Sequence, residues 1–398
     1  MMKRCFKSIW NYIKKADILL WMIVAAVSVY SLMLLRSVDY ATGSSYFRTQ
    51  LFAILLGVAG AIVISLMDYS DLANFWYLLA GFSIFLMIYT SLFGVRIQGS
   101  GGEDARAWIN IGGRTFQSSE LVKIFFTLTF SKHLDTLRKR DLINMPAHVV
   151  LLGCHALVPI LLCQLQKDTG AGVVFFAMFL AMSLAAGVKL RYFAVLGVLV
   201  LIALPILWQF IMDDYQKLRF IALFNLDDPD IQMGDGYQQY QGMISIGSGR
   251  FNGQGLFHGS RVADSSVPFQ QSDYIFSVAG EELGFVGCSL ILLLLFLLMV
   301  KIIHVAHSSR DDMGKYICFG YFGIIALQSI SNLGMCLALL PIMGVTLPFF
   351  SAGGSSAACM YFGIGLVQSV YMRRKEGDGL RLKRKMPLRF TYSRLKSH

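Results

Sequence analysis

Charge is scarce in this sequence. Of its 398 residues only 15% are Asp, Glu, Lys or Arg, whereas 56% are hydrophobic and the mean hydropathy is +0.59. Soluble domains carry about 25% charged residues, so this composition excludes an ordinary soluble enzyme. The apolar residues lie in runs of about 18 or more, the length that a helix needs to cross the hydrocarbon core of a bilayer. The sequence therefore predicts an all-α integral membrane protein.

Three other features are missing. The seven cysteines show no pair at short spacing, and six of them lie inside or beside apolar runs, which excludes a disulfide framework and a cysteine-based metal site. No small-residue cleavage site follows the first apolar run, so we expect a retained helix rather than a removed signal peptide. No fixed-period repeat and no inverted pair of broken helices is present, so the pattern of many transporters is not found.

Ten apolar runs predict ten transmembrane helices, which place both termini on the same side of the membrane. Lys and Arg gather at the two ends, with five in residues 1–16 and ten in residues 373–398. The positive-inside rule puts these ends in the cytoplasm. A basic tail beside a membrane span contacts anionic headgroups, so we expect membrane lipids and no nucleic acid as its partner. The predicted helices are 17–35, 50–67, 73–93, 118–135, 147–164, 169–187, 191–211, 275–300, 315–337 and 355–372.

The polar segments between these helices predict the division of the chain. Four of them face outward, and the longest, residues 212–274 between helices 7 and 8, has a net charge of −4 from eight Asp against four Lys or Arg. We therefore expect a basic cytoplasmic N-terminus, a ten-helix transmembrane domain and a basic cytoplasmic tail, at residues 1–16, 17–372 and 373–398. The other outward segments are 36–49, 94–117 and 338–354.

One polar cluster surrounds the start of the fourth predicted helix. Its members are Arg106, Trp108, Arg114, Glu120 and Lys123. Glu120 and Lys123 are three residues apart and share one helical face, where they can pair. Two interpretations stay open, a surface ion pair and a charged pair that lines a polar cavity at the membrane. Ser118 or Ser119 is expected to cap the helix.

Asp168 lies between the fifth and sixth predicted helices, in the sequence Gln-Lys-Asp-Thr-Gly. Asp near Gly is ordinary turn chemistry. Taken alone, this favours a structural role for the carboxylate.

The longest polar stretch ends where a very apolar helix begins. Five glycines from Gly247 onward form a flexible run that permits close approach of the backbone to a ligand. The run lacks the G-K-[ST] ending of a phosphate-binding loop. Asp273 follows it and is either a helix N-cap or a functional acid. Glu281 and Glu282 lie about two turns further in, where a carboxylate is costly unless it faces partners or water.

Residues 340–356 contain two prolines and end in Gly-Gly-Ser-Ser. Such a segment cannot form a simple hairpin of helices, so it predicts a re-entrant loop that lines a cavity rather than lipid. Gln328 and Asn332 are four residues apart on the preceding helix and are expected to satisfy the backbone of the loop.

These segments, in this order, resemble the shape, elongation, division and sporulation family, which includes RodA, FtsW and SpoVE. The resemblance covers roughly residues 15–372 and depends on several separated motifs, whose combination is specific. The motifs are Trp-Ile-Asn-Ile-Gly, Phe-Gln-Ser-Ser-Glu, Asp-Thr-Gly, Tyr-Gln-x-x-Gln, Ser-Asp-Tyr-Ile-Phe-Ser and Leu-Pro-Phe-Phe-Ser.

The resemblance implies a membrane glycosyltransferase that polymerises lipid II, a disaccharide-pentapeptide on undecaprenyl pyrophosphate, into peptidoglycan strands. It also implies a partner, a class B penicillin-binding protein that cross-links the peptides. The essential Asp of the family corresponds to Asp273, and its acidic and basic pair corresponds to Glu120 and Lys123. Substrate contacts are expected from Arg106, Trp108, Arg114, Glu120, Lys123, Asp168, Gln241, Ser351 and Ser355.

The sequence departs from the family pattern at several positions. Ser118 stands where the family usually has Pro, residues 253–255 are Gly-Gln-Gly instead of Gly-Lys-Gly, and residues 268–272 are Pro-Phe-Gln-Gln-Ser instead of Pro-Glu-x-His-Thr. These changes raise the question of specialised substrate handling or reduced activity. The presence of Asp273 and of the charged pair argues that the core chemistry is retained.

Glycosyl transfer needs a base for the acceptor hydroxyl and stabilisation of the departing pyrophosphate. We assign Asp273 to the 4-hydroxyl of the acceptor N-acetylglucosamine. An exposed Asp has a pKa of about 4, so an efficient base at this position requires partial burial. Lys123, Arg106 and Arg114 are expected to meet the pyrophosphate, with Mg²⁺ or Mn²⁺ as an optional cofactor.

Two alternatives remain from the residues. A transporter that flips lipid II would use Glu120, Lys123, Asp168 and Glu282 as a polar path, and would need no external base. A non-catalytic scaffold for the transpeptidase would bind its partner and form no glycan.

Overall fold

The structure, a computed structural model, describes residues 12–98 and 104–374 and is mostly helical. Residues 1–11 and 375–398, which contain most of the two predicted basic ends, lie outside the described residues. In chain order the helices are α1 (Ile18–Thr42), α2 (Tyr46–Leu66), α3 (Tyr69–Asn74), α4 (Trp76–Phe93), α5 (Ser118–Lys139), α6 (Pro146–Leu165), α7 (Thr169–Ala186), α8 (Leu190–Ile206), α9 (Asp214–Phe224), α10 (Pro229–Met233), α11 (Tyr237–Ser248), α12 (Ser260–Ala263), α13 (Ile275–Ser308), α14 (Asp312–Cys336) and α15 (Gly354–Met372).

Local sequence sets where many of these helices begin and end. Helix α1 starts after Asp17, whose carboxylate accepts a hydrogen bond from the backbone N–H of Leu20 at 3.2 Å, and it ends at Gly43 with φ 70°. Helix α14 starts after Asp311, which accepts from the backbone N–H of Gly314 at 2.8 Å. Asp at the N-cap and Gly at the C-terminal end are the residues that satisfy the free backbone groups of a helix.

Within residues 12–98 and 104–374, eight helices are long and apolar enough to cross a membrane, namely α1, α2, α4, α6, α7, α8, α13 and α14. Helices α5 and α15 are also long, with 22 and 19 residues, but they carry more polar side chains and most of their residues are buried inside the bundle. Each of the ten predicted helices overlaps one of these ten long helices. Helix α8 differs from the other long helices because none of its residues is fully buried, although Tyr192 and Phe193 near its start pack against the core.

A small sheet corrects the all-α expectation. Strands β1 (Val95–Gln98), β2 (Asp104–Ile111) and β3 (Arg114–Gln117) form an antiparallel sheet in the order β1-β2-β3. Gly112 and Gly113, with φ of 59° and 82°, make the turn between β2 and β3. Only glycine enters this region of φ freely, so the two glycines allow the chain to return as a hairpin. The segment predicted as a polar connection is therefore a structured platform beside the helices.

The long segment at residues 212–274 also contains regular structure rather than loop alone. It forms the short helices α9 to α12, and α11 is fixed to the helix bundle. Gln239 donates from Nε2 to the carbonyl oxygens of Met335 at 3.3 Å and of Leu340 at 2.8 Å. The segment thus covers one end of the bundle, next to the loop that follows α14.

Candidate functional site

Asp273 lies two residues before the start of α13 and is buried, with 7% of its surface exposed. Its carbonyl oxygen accepts a hydrogen bond from Nδ2 of Asn332 at 2.7 Å, and the same nitrogen donates to the carbonyl oxygen of Val345 at 2.8 Å. The prediction that Asn332 satisfies the backbone of the re-entrant loop is confirmed. The N-cap interpretation of Asp273 is wrong, because Tyr274 occupies the N-cap position and no side chain caps the helix.

The second half of the loop between α14 and α15 is buried and joined to the segment that leads to Asp273. Ser351 donates from Oγ to the carbonyl oxygen of Ser272 at 2.6 Å, and the N–H of Ala352 donates to the carbonyl oxygen of Gln271 at 2.8 Å. Phe350 in this half is fully buried, whereas Leu339 at the start of the loop is exposed. A non-helical backbone at this depth is tolerated only where protein or a polar cavity satisfies it, which agrees with the predicted re-entrant loop.

A second polar centre forms around Asp168. Gln117 donates from Nε2 to Oδ2 of Asp168 at 2.8 Å, and Ser119 donates from Oγ to the same oxygen at 3.2 Å. The other carboxylate oxygen accepts from the N–H of Ala171 at 3.1 Å, so Asp168 caps α7 as turn chemistry predicted. The expected serine cap of α5 is wrong, since Gln117 is its N-cap residue and makes no capping hydrogen bond.

Glu120 and Lys123 lie within the first two turns of α5 and form an ion pair, with Oε1 and Nζ 2.8 Å apart. Both residues are buried, with 5% and 2% of their surfaces exposed, so the surface interpretation of this pair is wrong. Oε2 of Glu120 and Oε1 of Gln166 have no hydrogen-bond partner within the described residues. Buried polar atoms are nearly always paired with protein or water, so this region of the bundle is suited to a polar ligand or to ordered water.

The surroundings of Asp273 and those of Asp168 are connected through the first turn of α15. Ser355 accepts at Oγ from the N–H of Gln117, at 3.2 Å, and belongs to the same chain segment as Ser351. Strand β2 adds two more predicted site residues: the N–H of Arg106 donates to the carbonyl oxygen of Gln166 at 3.1 Å, and Trp108 pairs with Gln117 across the sheet. Arg114 begins β3, and its side chain lies outside what the structure describes.

Gln241 lies on α11. Its side-chain oxygen accepts a hydrogen bond from the guanidinium of Arg261. Arg261 also donates from Nε to Oγ of Ser245 at 2.9 Å, and its N–H donates to Oε1 of Glu281 at 2.7 Å. Gln241 therefore helps to hold the long segment against α13, and its contact with substrate stays a prediction.

Part of the glycine run packs closely against helix α13. The N–H of Gly255 donates to the carbonyl oxygen of Glu282 at 2.9 Å. A Cβ on Gly253 would lie 2.1 Å from that same oxygen, so only glycine fits there. The Glu282 carboxylate accepts at Oε1 from Oγ of Ser37 at 2.5 Å. Its other oxygen, Oε2, is buried and has no hydrogen-bond partner within the described residues.

The residues that the structure describes do not form a metal site of their own. They contain no group of three or more His, Cys, Asp or Glu side chains that could hold an ion. The carboxylate of Asp168 is already engaged by Gln117, Ser119 and Ala171. Mg²⁺ is usually held by one or two carboxylates together with substrate phosphates, so an ion bound with the pyrophosphate stays a prediction.

Comparison with known proteins identifies relatives along almost the full length of the chain. Peptidoglycan glycosyltransferase MrdB of Escherichia coli K12 is 30% identical over 375 residues, which is 93% of this chain and 96% of that protein. Stage V sporulation protein E of Bacillus subtilis is 31% identical over 354 residues, which is 88% of this chain and 94% of that protein.

Solved structures show the same likeness. A peptidoglycan synthase complex, studied for its coordination of polymerization and crosslinking, contains a chain that matches with a TM-score of 0.76 and 26% identity, covering 91% of this chain and 99% of that one. The rod shape determining protein RodA of Thermus thermophilus matches with a TM-score of 0.65 and 25% identity, covering 91% and 98%. The family model described as cell cycle protein matches residues 13–376. The chain belongs to the FtsW/RodA/SpoVE family.

Proposed function

We propose that this protein is a peptidoglycan glycosyltransferase that polymerises lipid II into glycan strands for cell-wall synthesis. Relatives named peptidoglycan glycosyltransferase support this activity. The observation that carries the proposal is the position of the loop between α14 and α15. One part of it, at Ser351, binds the segment before Asp273, and Ser355 binds Gln117 beside the buried charged pair.

In this mechanism the carboxylate of Asp273 takes the proton from the 4-hydroxyl of the acceptor sugar. That oxygen forms a bond to the anomeric carbon of the donor, while the bond from this carbon to the pyrophosphate oxygen breaks. Lys123 and Arg106 supply positive charge for the leaving pyrophosphate, with Arg114 as a third predicted cation. Glu120 compensates the charge of Lys123 while no substrate is bound, which limits the cost of burying an ammonium group. Fixed charges in a site that excludes water stabilise such a transition state effectively.

We infer further that all ten long helices cross the membrane, with residues 212–274 outside and both termini in the cytoplasm. Contacts between distant segments support this orientation. Arg310 and Asp68 form an ion pair at 2.9 Å, and Arg373 reaches Asp68 at 3.3 Å, all three at positions that the predicted ten-helix topology assigns to the cytoplasm. The rings of Tyr40 and Phe257, which belong to segments assigned to the outside, lie 5.7 Å apart.

The proposed partner is a class B penicillin-binding protein with transpeptidase activity. The similar chain in a peptidoglycan synthase complex supports an assembly of this kind. A glycan polymerase working alone produces strands without peptide cross-links, so a cell wall requires the second activity. Membrane lipids complete the proposed surroundings, and nucleic acid is not among the proposed partners.

The test is polymerisation of labelled lipid II by the purified protein with its transpeptidase partner, followed on a gel that resolves glycan length. Asp273→Ala and Asp273→Asn should lose at least about 100-fold in rate, the usual contribution of a general base. Asp264→Asn is the matched control, since Asp264 is an exposed acid of the same loop. A wild-type rate for Asp273→Asn would favour a transporter, and partner binding without any glycan product would favour a scaffold.

A further inference from the structure

A cavity of about 240 Å³ lies where three parts of the chain meet beside the Asp273 segment. Tyr237 and Gln238 at the start of α11 line one side. Pro268, five residues before Asp273, and Ile342, in the loop after α14, line the others. The cavity is therefore lined by the segment before Asp273 and by the loop after α14, the two segments that are joined at Asp273. It faces the side of the protein that the proposed topology places outside the membrane.

The neighbours of Gln238 have structural roles that Gln238 lacks. Gln239 donates to two carbonyl oxygens of the bundle, and Gln241 accepts from Arg261. Oε1 of Gln238 is buried and has no hydrogen-bond partner within the described residues. A buried acceptor without a donor costs about 1–3 kcal/mol, so this oxygen is suited to a ligand that donates an O–H or N–H group.

The chemistry of the cavity wall defines the class of ligand. Met233, Pro268 and Ile342 form an apolar side, Tyr237 adds an aromatic ring, and Asp235 and Gln238 add polar groups. Among the described lining residues there is no Lys or Arg, so the cavity does not match a phosphate or a peptide carboxylate. Its volume is just below the roughly 300 Å³ at which pockets for drug-sized ligands begin, so one ring fits and a disaccharide does not.

We propose that this cavity binds one N-acetylhexosamine ring of the growing glycan. The apolar side contacts the acetamido methyl group and the carbon face of the ring, and the polar groups meet its hydroxyls and its N–H. The proposal rests on the proposed polymerase function. It adds a subsite for a sugar of the strand that is neither the reacting donor nor the reacting acceptor. A strand held there stays on the enzyme between additions, so the subsite sets product length and not the chemical step.

The binding experiment uses the full chain in detergent and a β-1,4-linked N-acetylglucosamine trisaccharide as the probe, followed by saturation-transfer NMR. The wild-type protein should bind the probe, and Tyr237→Ala and Gln238→Ala should weaken that binding roughly tenfold. Tyr237→Phe keeps the ring and should bind like the wild type. Gln232→Ala, a change just before the cavity that does not alter its lining, is the matched control.

The polymerisation assay separates this proposal from the function on which it rests. Tyr237→Ala and Gln238→Ala should form glycan bonds at near wild-type initial rates but give strands several-fold shorter, whereas Asp273→Asn should form no strands and still bind the probe. Equal probe binding by all variants, or unchanged strand length, would overturn the subsite and leave the polymerase intact. Absence of polymerisation by the wild-type protein would instead remove the proposed function, whatever the probe does.

Discussion

Asn332 holds the main chain of Asp273 in place. Its amide nitrogen donates to the carbonyl oxygen of Asp273 at 2.7 Å and to that of Val345 at 2.8 Å. Asn332 is fully buried, so water does not replace these hydrogen bonds. One side chain of α14 thus joins the segment before α13 to the loop after α14, and the position of Asp273 depends on it.

Replacing Asn332 by Leu should therefore damage both stability and activity. The substitution keeps the size of the side chain but leaves two buried carbonyl oxygens without their donor, at a cost of about 1–3 kcal/mol for each unsatisfied group. Thermal unfolding in detergent measures the first effect, and lipid II polymerisation measures the second. Cys336→Ser is the control, because the thiol makes only a long 3.6 Å contact with the same Asp273 oxygen. A fully active Asn332→Leu protein would contradict this role.

Gly284 is a second position where the structure limits the sequence. It interrupts α13 with φ 62° and ψ −156°, and a Cβ there would lie 2.3 Å from the backbone nitrogen of Gly253. Gly284→Ala should destabilise the protein by at least about 1–3 kcal/mol, since it adds strain and separates the glycine run from the helix. Gly197→Ala in α8 is the matched control, because a Cβ there meets nothing within 4 Å. Equal unfolding temperatures for the two variants would show that the close approach is unimportant.

The long helices could be predicted because a run of apolar residues has the length and composition that a membrane span requires. The residues at which these helices end could not be predicted as well. The eighth predicted helix stops at residue 300, whereas α13 continues to Ser308. Lys301 suggested an end of the span, yet its Nζ pairs with Asp17 at 2.7 Å and lies over the ring of Tyr371. Because Lys301 has these partners, it can lie within the helix. The local sequence around Lys301 does not predict contacts with residues so distant in the chain.

The same limit applies to the candidate site. Glu120 and Lys123 are three residues apart, so helical periodicity alone predicted their contact. Gln117 is separated from Asp168 by 51 residues and from Ser355 by 238, and spacing says nothing about such contacts. The Phe-Gln motif marked Gln117 as part of the family pattern, which was the only signal available for its role.

Asp68 provides a test by pH. Burial raises the pKa of its carboxyl, but the N–H of Ser70, a hydrogen bond from Arg310 and the charges of Arg310 and Arg373 outweigh it, so the pKa is lowered. A lowered pKa means that the folded protein prefers the carboxylate. The stabilisation is therefore complete above the unfolded pKa of about 4 and is lost as pH falls through the lower folded pKa.

The substitution Asp68→Asn keeps the helix cap of α3 and removes only the charge. It should lower the unfolding temperature at pH 7, and the difference from the wild type should shrink as the pH is reduced to about 3. Asp71→Asn changes an exposed acid of the same short helix and should give only a small effect. A constant difference for Asp68→Asn across this range would mean that the charge is not the source of its stabilisation.

The buried pair of Glu120 and Lys123 separates stability from function. Removing one partner leaves the other charge uncompensated, so Lys123→Met and Glu120→Gln should each cost about 3–5 kcal/mol. The double variant contains no buried charge at this position and should regain most of that stability, but it lacks the cation for the pyrophosphate and should not polymerise lipid II.

The matched control is the pair of Lys217 and Asp214, which has the same spacing but lies at 3.6 Å with an almost fully exposed carboxylate. Lys217→Met should cost no more than about 1 kcal/mol, as is usual for surface pairs. Thermal unfolding of the four forms of the buried pair gives the coupling free energy by a double-mutant cycle. If the double variant were as unstable as the sum of its single changes, the two charges would not compensate each other. If it polymerised lipid II at the wild-type rate, Lys123 would have no part in stabilising the leaving group.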